Sequence, residues 1–224
     1  MGVVRGSVTV STPNPGNYQV TMPEADLDVI GIAPWSDNGL SYQAPPLVGI
    51  YIDASNIAYL PLPPTAYYTV RKYSPVHVKL RGTVLNLYIP YIAPNNSASG
   101  LTIYYGDPEG NEIEFSLLKG VAFSQENTST TSPLSGTIPI TFPSGNVKIT
   151  GIFAIGVEVF GQLSFVTGTG KSLIIPISDS PDPMDLPDNI IPLDLESATT
   201  LSINFAMTNN TQGNATIYGV IYYQ

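Results

Sequence analysis

The sequence has no cysteine, a single histidine and few charged side chains. Its 224 residues include 8 lysines and arginines, and charged residues make up 11% of the chain, against roughly 25% in an average soluble protein. The absence of cysteine excludes a disulfide framework and thiol chemistry. Enzymes need groups that titrate, attack or bind a metal. The composition therefore predicts a protein that is not an enzyme and that uses no cofactor.

The formal net charge is −9, and this acidic balance argues against nucleic acid as a partner. No apolar run approaches the roughly 18 residues of a membrane-spanning helix, so no direct membrane span is expected. The N-terminal sequence MGVVRGSVTVS lacks the apolar core of a signal peptide.

What the chain does contain is a succession of short apolar runs separated by glycine, proline, asparagine and serine. Their period-2 alternation and their β-branched and aromatic residues predict strands. The predicted strands are Val3–Val10, Tyr18–Met22, Leu27–Ala33, Leu47–Ile52, Tyr67–Arg71, Val76–Ile92, Leu101–Tyr105, Glu112–Leu118, Thr137–Phe142, Asn146–Thr150, Ile152–Phe160, Gln162–Val166, Ser172–Ile177, Ile190–Leu195, Leu201–Met207 and Ala215–Tyr223. This pattern predicts an all-β protein, an antiparallel jelly-roll or Greek-key β-sandwich.

The segment IAPNNSASG, which ends at Gly100, is typical of a linker. Charge changes at the same place: residues 1–96 carry five acids and five bases, whereas residues 97–224 carry twelve acids and three lysines. We therefore expect two β modules, an N-terminal one over residues 1–94 and a C-terminal, jelly-roll-like one over residues 95–224. A long surface loop within one sandwich is the alternative.

Two groups of acids are candidate metal ligands. Carboxylates at three-residue intervals, in the order Asp179, Asp182, Asp185 and Asp188, supply the oxygen ligands that Ca²⁺ prefers. The spacing is not that of an EF-hand, however, and three prolines favour an extended acidic loop. A second group comprises Glu24, Asp26 and Asp28, which alternate near a strand start and favour a polar face over a metal site.

Other motifs favour structural roles. The sequence GTGKS at Gly168–Ser172 ends like a phosphate-binding loop, but position 165 is Phe and a strand follows instead of a helix. His77 is expected on the outer face of a strand beside Lys79, with no catalytic partner in view. Trp35 is expected to plug the core or to anchor a contact.

Four Asn-X-Ser/Thr sequons are candidate glycosylation sites, and they begin at Asn95, Asn127, Asn209 and Asn214. All four lie after residue 94, which favours an outward-facing second half. The alternative is that these are unmodified loop residues.

The combination of no cysteine, 14 tyrosines, 21 prolines, few charges and consecutive strands resembles capsid vertex proteins, penton base or turret, of turreted icosahedral viruses of hyperthermophilic archaea. The resemblance implies jelly-roll domains and a structural, non-enzymatic protein of the virion. It also implies contacts with copies of itself, as a pentameric ring, with other capsid or turret proteins, and with the host surface. The chain is short for a double jelly-roll major capsid protein, which favours a minor vertex role with the acidic second half projecting.

Two alternatives come from other classes. One is a subunit of an extracellular archaeal filament that donates a strand, Val3–Val10 or Ala215–Tyr223, to its neighbour. The other is a carbohydrate-binding or hydrolytic β-sandwich, which predicts a cleft with aromatic residues and paired acids. The single tryptophan offers little support for the latter.

Overall fold

The computed structural model describes most of the chain. The described residues are 2–36, 45–52, 56–62, 74–91, 99–112, 114–129, 133–143, 145–157, 159–166, 172–178, 190–197, 199–209 and 215–224. They form strands with one short 3-10 helix, Phe115–Leu118.

The strands are numbered in chain order. They are β1 (Val3–Ser11), β2 (Gly16–Thr21), β3 (Asp28–Ser36), β4 (Leu47–Tyr51), β5 (Ile57–Pro61), β6 (Ser74–Lys79), β7 (Val84–Ile89), β8 (Ser99–Asp107), β9 (Gly120–Asn127), β10 (Leu134–Thr141), β11 (Val147–Val157), β12 (Val159–Val166), β13 (Ser172–Ser178), β14 (Ile191–Ser197), β15 (Thr200–Asn209) and β16 (Ala215–Tyr223). All sheet pairs between them are antiparallel.

The first eight strands form two four-stranded sheets with the orders β1-β8-β3-β6 and β2-β7-β4-β5. The last eight form β9-β16-β11-β14 and β10-β15-β12-β13. If the strands of each set are counted from one to eight, both sets have the orders 1-8-3-6 and 2-7-4-5. This is the double Greek-key connectivity of a jelly roll, so the chain contains two jelly rolls in tandem.

Each roll has its own hydrophobic core, to which both of its sheets contribute. The first core contains Ile32 and Ile103 from one sheet and Val48 and Leu87 from the other. In the second core, Ile149 and Ile221 of one sheet pack in the same cluster as Phe165 and Ile203 of the other. The alternation of the strands therefore does what it predicts, since one face of each sheet supplies the core.

The division between the rolls lies at Leu118 and Lys119, and this corrects the boundary expected at residue 95. β8 pairs with β1 on one side and β3 on the other, so it belongs to the middle of a sheet of the first roll. The charge cue was misleading as well. Residues 1–118 contain nine acids and five bases, and residues 119–224 contain eight acids and three bases.

Two jelly rolls fit in a chain whose length is short for a double jelly-roll major capsid protein. The first roll ends at Leu118 and the second takes the rest of the described chain. The rolls are this short because their strands have five to eleven residues and are joined by turns, such as the one at residues 80–83 between β6 and β7.

The strand predictions require correction in several places. Asn146–Thr150 and most of Ile152–Phe160 form the single strand β11. The run Val76–Ile92 is two strands separated by a turn at Gly82, whose φ of 84° favours glycine. The predicted strand Glu112–Leu118 is not a strand, because β8, its hairpin partner, is already hydrogen-bonded on both sides; Leu117 is exposed. The predicted strand Tyr67–Arg71 lies outside the described residues, and the strands β5 and β9 were missed.

Among the residues that the model describes, no helix is long and apolar enough to cross a membrane.

Candidate functional surfaces

The outer face of the sheet β10-β15-β12-β13 bears no charge among its described side chains. Burial alternates along β10 and β15, so every second residue points away from the core. We call this surface the neutral face; its described side chains are Ser135, Thr137, Pro139, Thr141, Phe160, Gln162, Ser164, Ile174, Pro176, Ser202, Asn204, Ala206 and Thr208. Such a face can lose its water without leaving an ionised group unpaired.

Two large apolar side chains stand out on the neutral face. Phe160 is 58% exposed and Ile174 is 57% exposed. Both belong to the β12–β13 hairpin, in which Ile174 lies opposite Ser164. Protein–protein interfaces are depleted of charge and enriched in aromatic side chains at their centres, so the neutral face has the chemistry of a contact surface.

Two described ion pairs lie on the sheets β1-β8-β3-β6 and β9-β16-β11-β14, not on the sheet of the neutral face. Arg5 on β1 contacts Asp107 on β8 at 2.7 Å, and Lys148 on β11 contacts Asp194 on β14 at 2.9 Å. Their side chains are more than half exposed, so each pair adds little stability. Both pairs therefore lie away from the described side chains of the neutral face.

A polar groove lies on the outer face of β2, β4 and β7 in the first roll. Its volume is about 670 Å³, and it is lined by Asn17, Tyr18, Gln19, Tyr51, Ile52, Asn86 and Leu87. Gln19 Nε2 donates to Asn86 Oδ1 at 3.1 Å, and the Tyr51 hydroxyl donates to Asn17 Oδ1. Every described residue of this lining is uncharged.

His77 is half-buried and hydrogen-bonded, which corrects the expectation of a surface residue. Its Nε2 lies 3.0 Å from Asp28 Oδ1 and its Nδ1 lies 3.2 Å from the carbonyl oxygen of Gly110. Both partner atoms are acceptors for a ring N–H. The side chain therefore ties β6 to β3 and to the segment after β8, which is a structural role.

The acids near the start of β3 act separately. Asp26, at a φ of 57°, accepts a hydrogen bond from the Gly82 N–H at 3.0 Å, and Asp28 contacts His77. Glu24 is exposed. Within the described part of the chain, no three His, Cys, Asp or Glu side chains are grouped as metal ligands.

The second acidic group, with Asp179, Asp182, Asp185 and Asp188, lies outside the described residues. A calcium site there stays a prediction. The GTGKS motif also falls largely outside them, since Lys171 and the three residues before it are not described.

The structure describes two of the four sequon asparagines. Asn127 is 3% exposed, and its Oδ1 accepts a hydrogen bond from the Ser129 N–H at 3.0 Å. Asn209 is half-buried and donates from Nδ2 to the Asn127 carbonyl oxygen at 3.3 Å. The burial of Asn127 opposes attachment of a glycan in the folded protein. Asn95 and Asn214 lie outside the described residues, and the use of the sequons stays a prediction.

Trp35 packs against the backbone of a neighbouring strand. A Cβ placed on Gly100 would lie 2.5 Å from Trp35 Cζ2 and 2.6 Å from Cε2, so the indole ring occupies the space that a side chain would need. Its Nε1 is buried, and no hydrogen-bond partner for it lies in the described structure. Trp35 thus packs on its own sheet and is not among the residues of the described core cluster, so the expectation of a core plug is not confirmed.

The two strands considered as donors differ in their pairing. β16 pairs with β11 and with β9, and all nine of its residues are buried. Donating it would remove the interior of its own roll. β1 pairs with β8 alone among the described strands, and Val3 and Val4 on it are exposed. Of these two strands, β1 is the one that lies at a sheet edge and fits a donor or acceptor strand.

Both surfaces, the neutral face and the groove, were missed by sequence reasoning. A signal for the neutral face was present, because alternate positions of SGTIPIT and LSINFAMT carry only uncharged side chains. The groove combines three strands that are far apart in the sequence, so no local pattern could have indicated it.

No family model and no curated protein matches the sequence. Among solved structures, the chain is similar to one described as the triple jelly roll fold and turret assembly in an archaeal virus. The alignment covers 98% of this chain and 59% of that one, at 12% identity and a TM-score of 0.28. This chain thus spans less than two thirds of that protein's length.

The chain is also similar to the major capsid protein P2 of bacteriophage PM2. That alignment covers 98% of both chains, at 10% identity and a TM-score of 0.35. A further similar structure is the VP2 subviral particle of infectious bursal disease virus, with 99% of this chain and 72% of that one covered, 9% identity and a TM-score of 0.16. These TM-scores are too low for the likeness to support a function.

Proposed function

We propose that this protein is a structural subunit of a virus capsid, placed by contacts with copies of itself and with other capsid proteins. The observation that carries the proposal is the pair of tandem jelly rolls, of which the second presents a whole sheet face without a charged side chain among its described residues. Jelly rolls also occur in lectins and cupins, so the neutral face is what favours assembly.

The physical case rests on what association costs. An exposed charge that becomes buried in an interface loses its hydration, and unless it is paired this loss opposes binding. The neutral face avoids that cost, since its polar groups are hydroxyls and amides that can bond across a contact. Thr137 and Asn204 already bond to each other at 2.9 Å. Phe160 and Ile174 add apolar area that contact would remove from water.

The finer proposal is a vertex position, as penton base or turret, in a pentameric ring in the virion. Rings are closed assemblies in which one surface of each copy meets a different surface of the next. The second roll is proposed as the projecting one because two sequons besides that of the buried Asn127, those at Asn209 and Asn214, lie in it. Non-enzymatic assembly, and the host surface as a further contact, belong to the same proposal.

A second candidate is a filament subunit that joins its neighbour through β1. This candidate is favoured by the edge position of β1 and by the exposure of Val3 and Val4, since an edge strand can pair with another chain. The bulge between Val4 and Gly6 weighs against it, because bulges are one of the features that protect edges.

The test is the mass and shape of the purified full chain, measured by light scattering after size exclusion and by electron microscopy of the same peak. Closed rings are the expected result, and rings of five support the vertex position. Open fibres favour the filament. A monomer at every concentration contradicts self-assembly.

Charge placed on the neutral face tests which surface makes the contact. The double variant Phe160→Asp, Ile174→Asp is expected to raise the concentration at which the assembly dissociates by at least about tenfold. Ile191→Asp is the matched control, since Ile191 is 42% exposed on β14 of the other sheet in the same roll. Equal effects of the double variant and the control exclude the neutral face as the contact.

A further inference from the structure

The groove on the first roll has the features of a binding site, and we infer that it binds a neutral oligosaccharide. It lies on the face of a sheet that the proposed assembly through the second roll does not use. The side chains that line the groove support sugar binding independently of the capsid role.

Three strands place these side chains together. Gln19 on β2 lies opposite Asn86 on β7, and Ile50 on β4 lies opposite Leu87. Residues 50 and 87 point into the core. Tyr51, the next residue on β4, and Asn86, the preceding residue on the antiparallel strand β7, therefore point outward in the same row. The groove therefore contains three amides, including that of Asn17 on β2, and the Tyr51 phenol, held on adjacent strands of one sheet.

The hydrogen bonds within the groove orient these groups and leave capacity for a ligand. Asn86 and Asn17 each accept one bond through Oδ1, from Gln19 and Tyr51 respectively. No residue in the described part of the chain is bonded to their amide nitrogens or to Gln19 Oε1, so the nitrogens can donate and the oxygen can accept. Donors and acceptors thus lie side by side, which suits hydroxyl groups, because each hydroxyl both donates and accepts.

The remaining lining explains why a sugar fits better than other ligands of this size. Tyr51 and Ile52 supply apolar surface against which the C–H faces of a sugar ring can pack. The volume of about 670 Å³ lies within the usual range of ligand sites, about 300–1,000 Å³. Among the described residues, no lining side chain is charged, and a protein of net charge −9 repels anionic ligands.

The experiment is titration of the full chain with a panel of neutral oligosaccharides, comprising β-1,4-glucan, α-1,4-glucan and mannan fragments of several sugar units, followed by calorimetry and ligand-observed NMR. Saturable binding of at least one panel member is expected. Asn86→Ala and Gln19→Ala should each weaken it about tenfold or more. Tyr51→Phe, which keeps the ring and removes the hydroxyl, should weaken it by less than loss of an amide.

The second roll provides a matched control. Asn204 on β15 bonds to Thr137 on β10, and these strands hold the same positions in the second roll that β7 and β2 hold in the first. Asn204→Ala removes an equivalent amide from an equivalent pair, and it should leave sugar binding unchanged. Circular dichroism shows whether each variant remains folded.

Two outcomes overturn the inference. One is the absence of saturable binding to any panel member at millimolar concentration. The other is that folded Asn86→Ala and Gln19→Ala variants bind the sugar with the same affinity as the Asn204→Ala control. The sugar would then bind elsewhere.

Discussion

Replacing Gly100 by alanine should destabilise the first roll. Gly100 lies on β8, between Ser11 of β1 and Trp35 of β3. A Cβ at this position would lie 2.2 Å from the Val10 carbonyl oxygen and 2.5 Å from Trp35 Cζ2. Carbon atoms in contact normally stand about 3.5–4.0 Å apart, so either the indole or β1 has to move.

The size of the effect follows from two opposing terms. Overpacking a filled site lowers the free energy of unfolding by about 1–3 kcal/mol. Replacing glycine lowers the entropy of the unfolded chain, which raises the free energy of unfolding by about 0.4–1 kcal/mol. The nearest obstacle is a backbone oxygen, which cannot rotate away. We therefore expect a net loss of about 1–2 kcal/mol, or a fall in Tm of about 2–8 °C for a chain of this length.

The assay is urea unfolding of the full chain, read by circular dichroism, for Gly100→Ala, Trp35→Leu and the double variant. Removing the indole takes away the two ring atoms that crowd the new methyl group. The methyl group should therefore cost at least about 0.5 kcal/mol less in the Trp35→Leu background than in the parent. A Gly100→Ala protein as stable as the parent would refute the packing of Trp35 over β8.

Alkaline pH and the histidine provide two further tests. Burial raises the pKa of Tyr222, so above a pH of about 10 the unfolded chain releases a proton that the folded chain keeps. The free energy of unfolding should then fall by about 1.4 kcal/mol per pH unit because of this residue. In urea titrations at increasing pH, Tyr222→Phe should show a smaller fall than the parent; the same fall in both proteins contradicts the prediction. His77→Ala removes the contacts of the ring with Asp28 Oδ1 and the Gly110 carbonyl oxygen and should cost about 1–3 kcal/mol of stability. Light scattering should show assembly unchanged; a change of oligomer size contradicts the structural role.

Strand prediction succeeded where a strand's own residues carried the pattern. Ala215–Tyr223 was predicted with its observed bounds, because a continuous apolar run is typical of a strand buried on both faces. The run Glu112–Leu118 alternates equally well and is not a strand. Its failure has a tertiary cause, since both edges of β8 are already paired. Alternation shows that a segment can pair, but it does not show that a partner is available.

The roles of the candidate site residues also depended on partners that the local sequence does not show. The sequence identified His77, Trp35 and the acids Asp26 and Asp28 as residues of interest. Their roles came from partners distant in the chain, such as the Gly110 carbonyl for His77 and the Gly82 amide for Asp26. Neither surface on which the proposals rest, the neutral face or the groove, could be seen in any single segment.

By itself, the sequence determined the all-β class, the scarcity of charge and the absence of thiol chemistry, because composition and period-2 alternation are local properties. The tertiary structure alone decided that there are two jelly rolls, that they divide at Leu118, and which uncharged side chains share a face. These depend on pairings such as Val3 with Asp107, which join strands at opposite ends of a roll. Pairing over such distances depends on which strand edges remain free as the sheet forms, and no short segment carries that information.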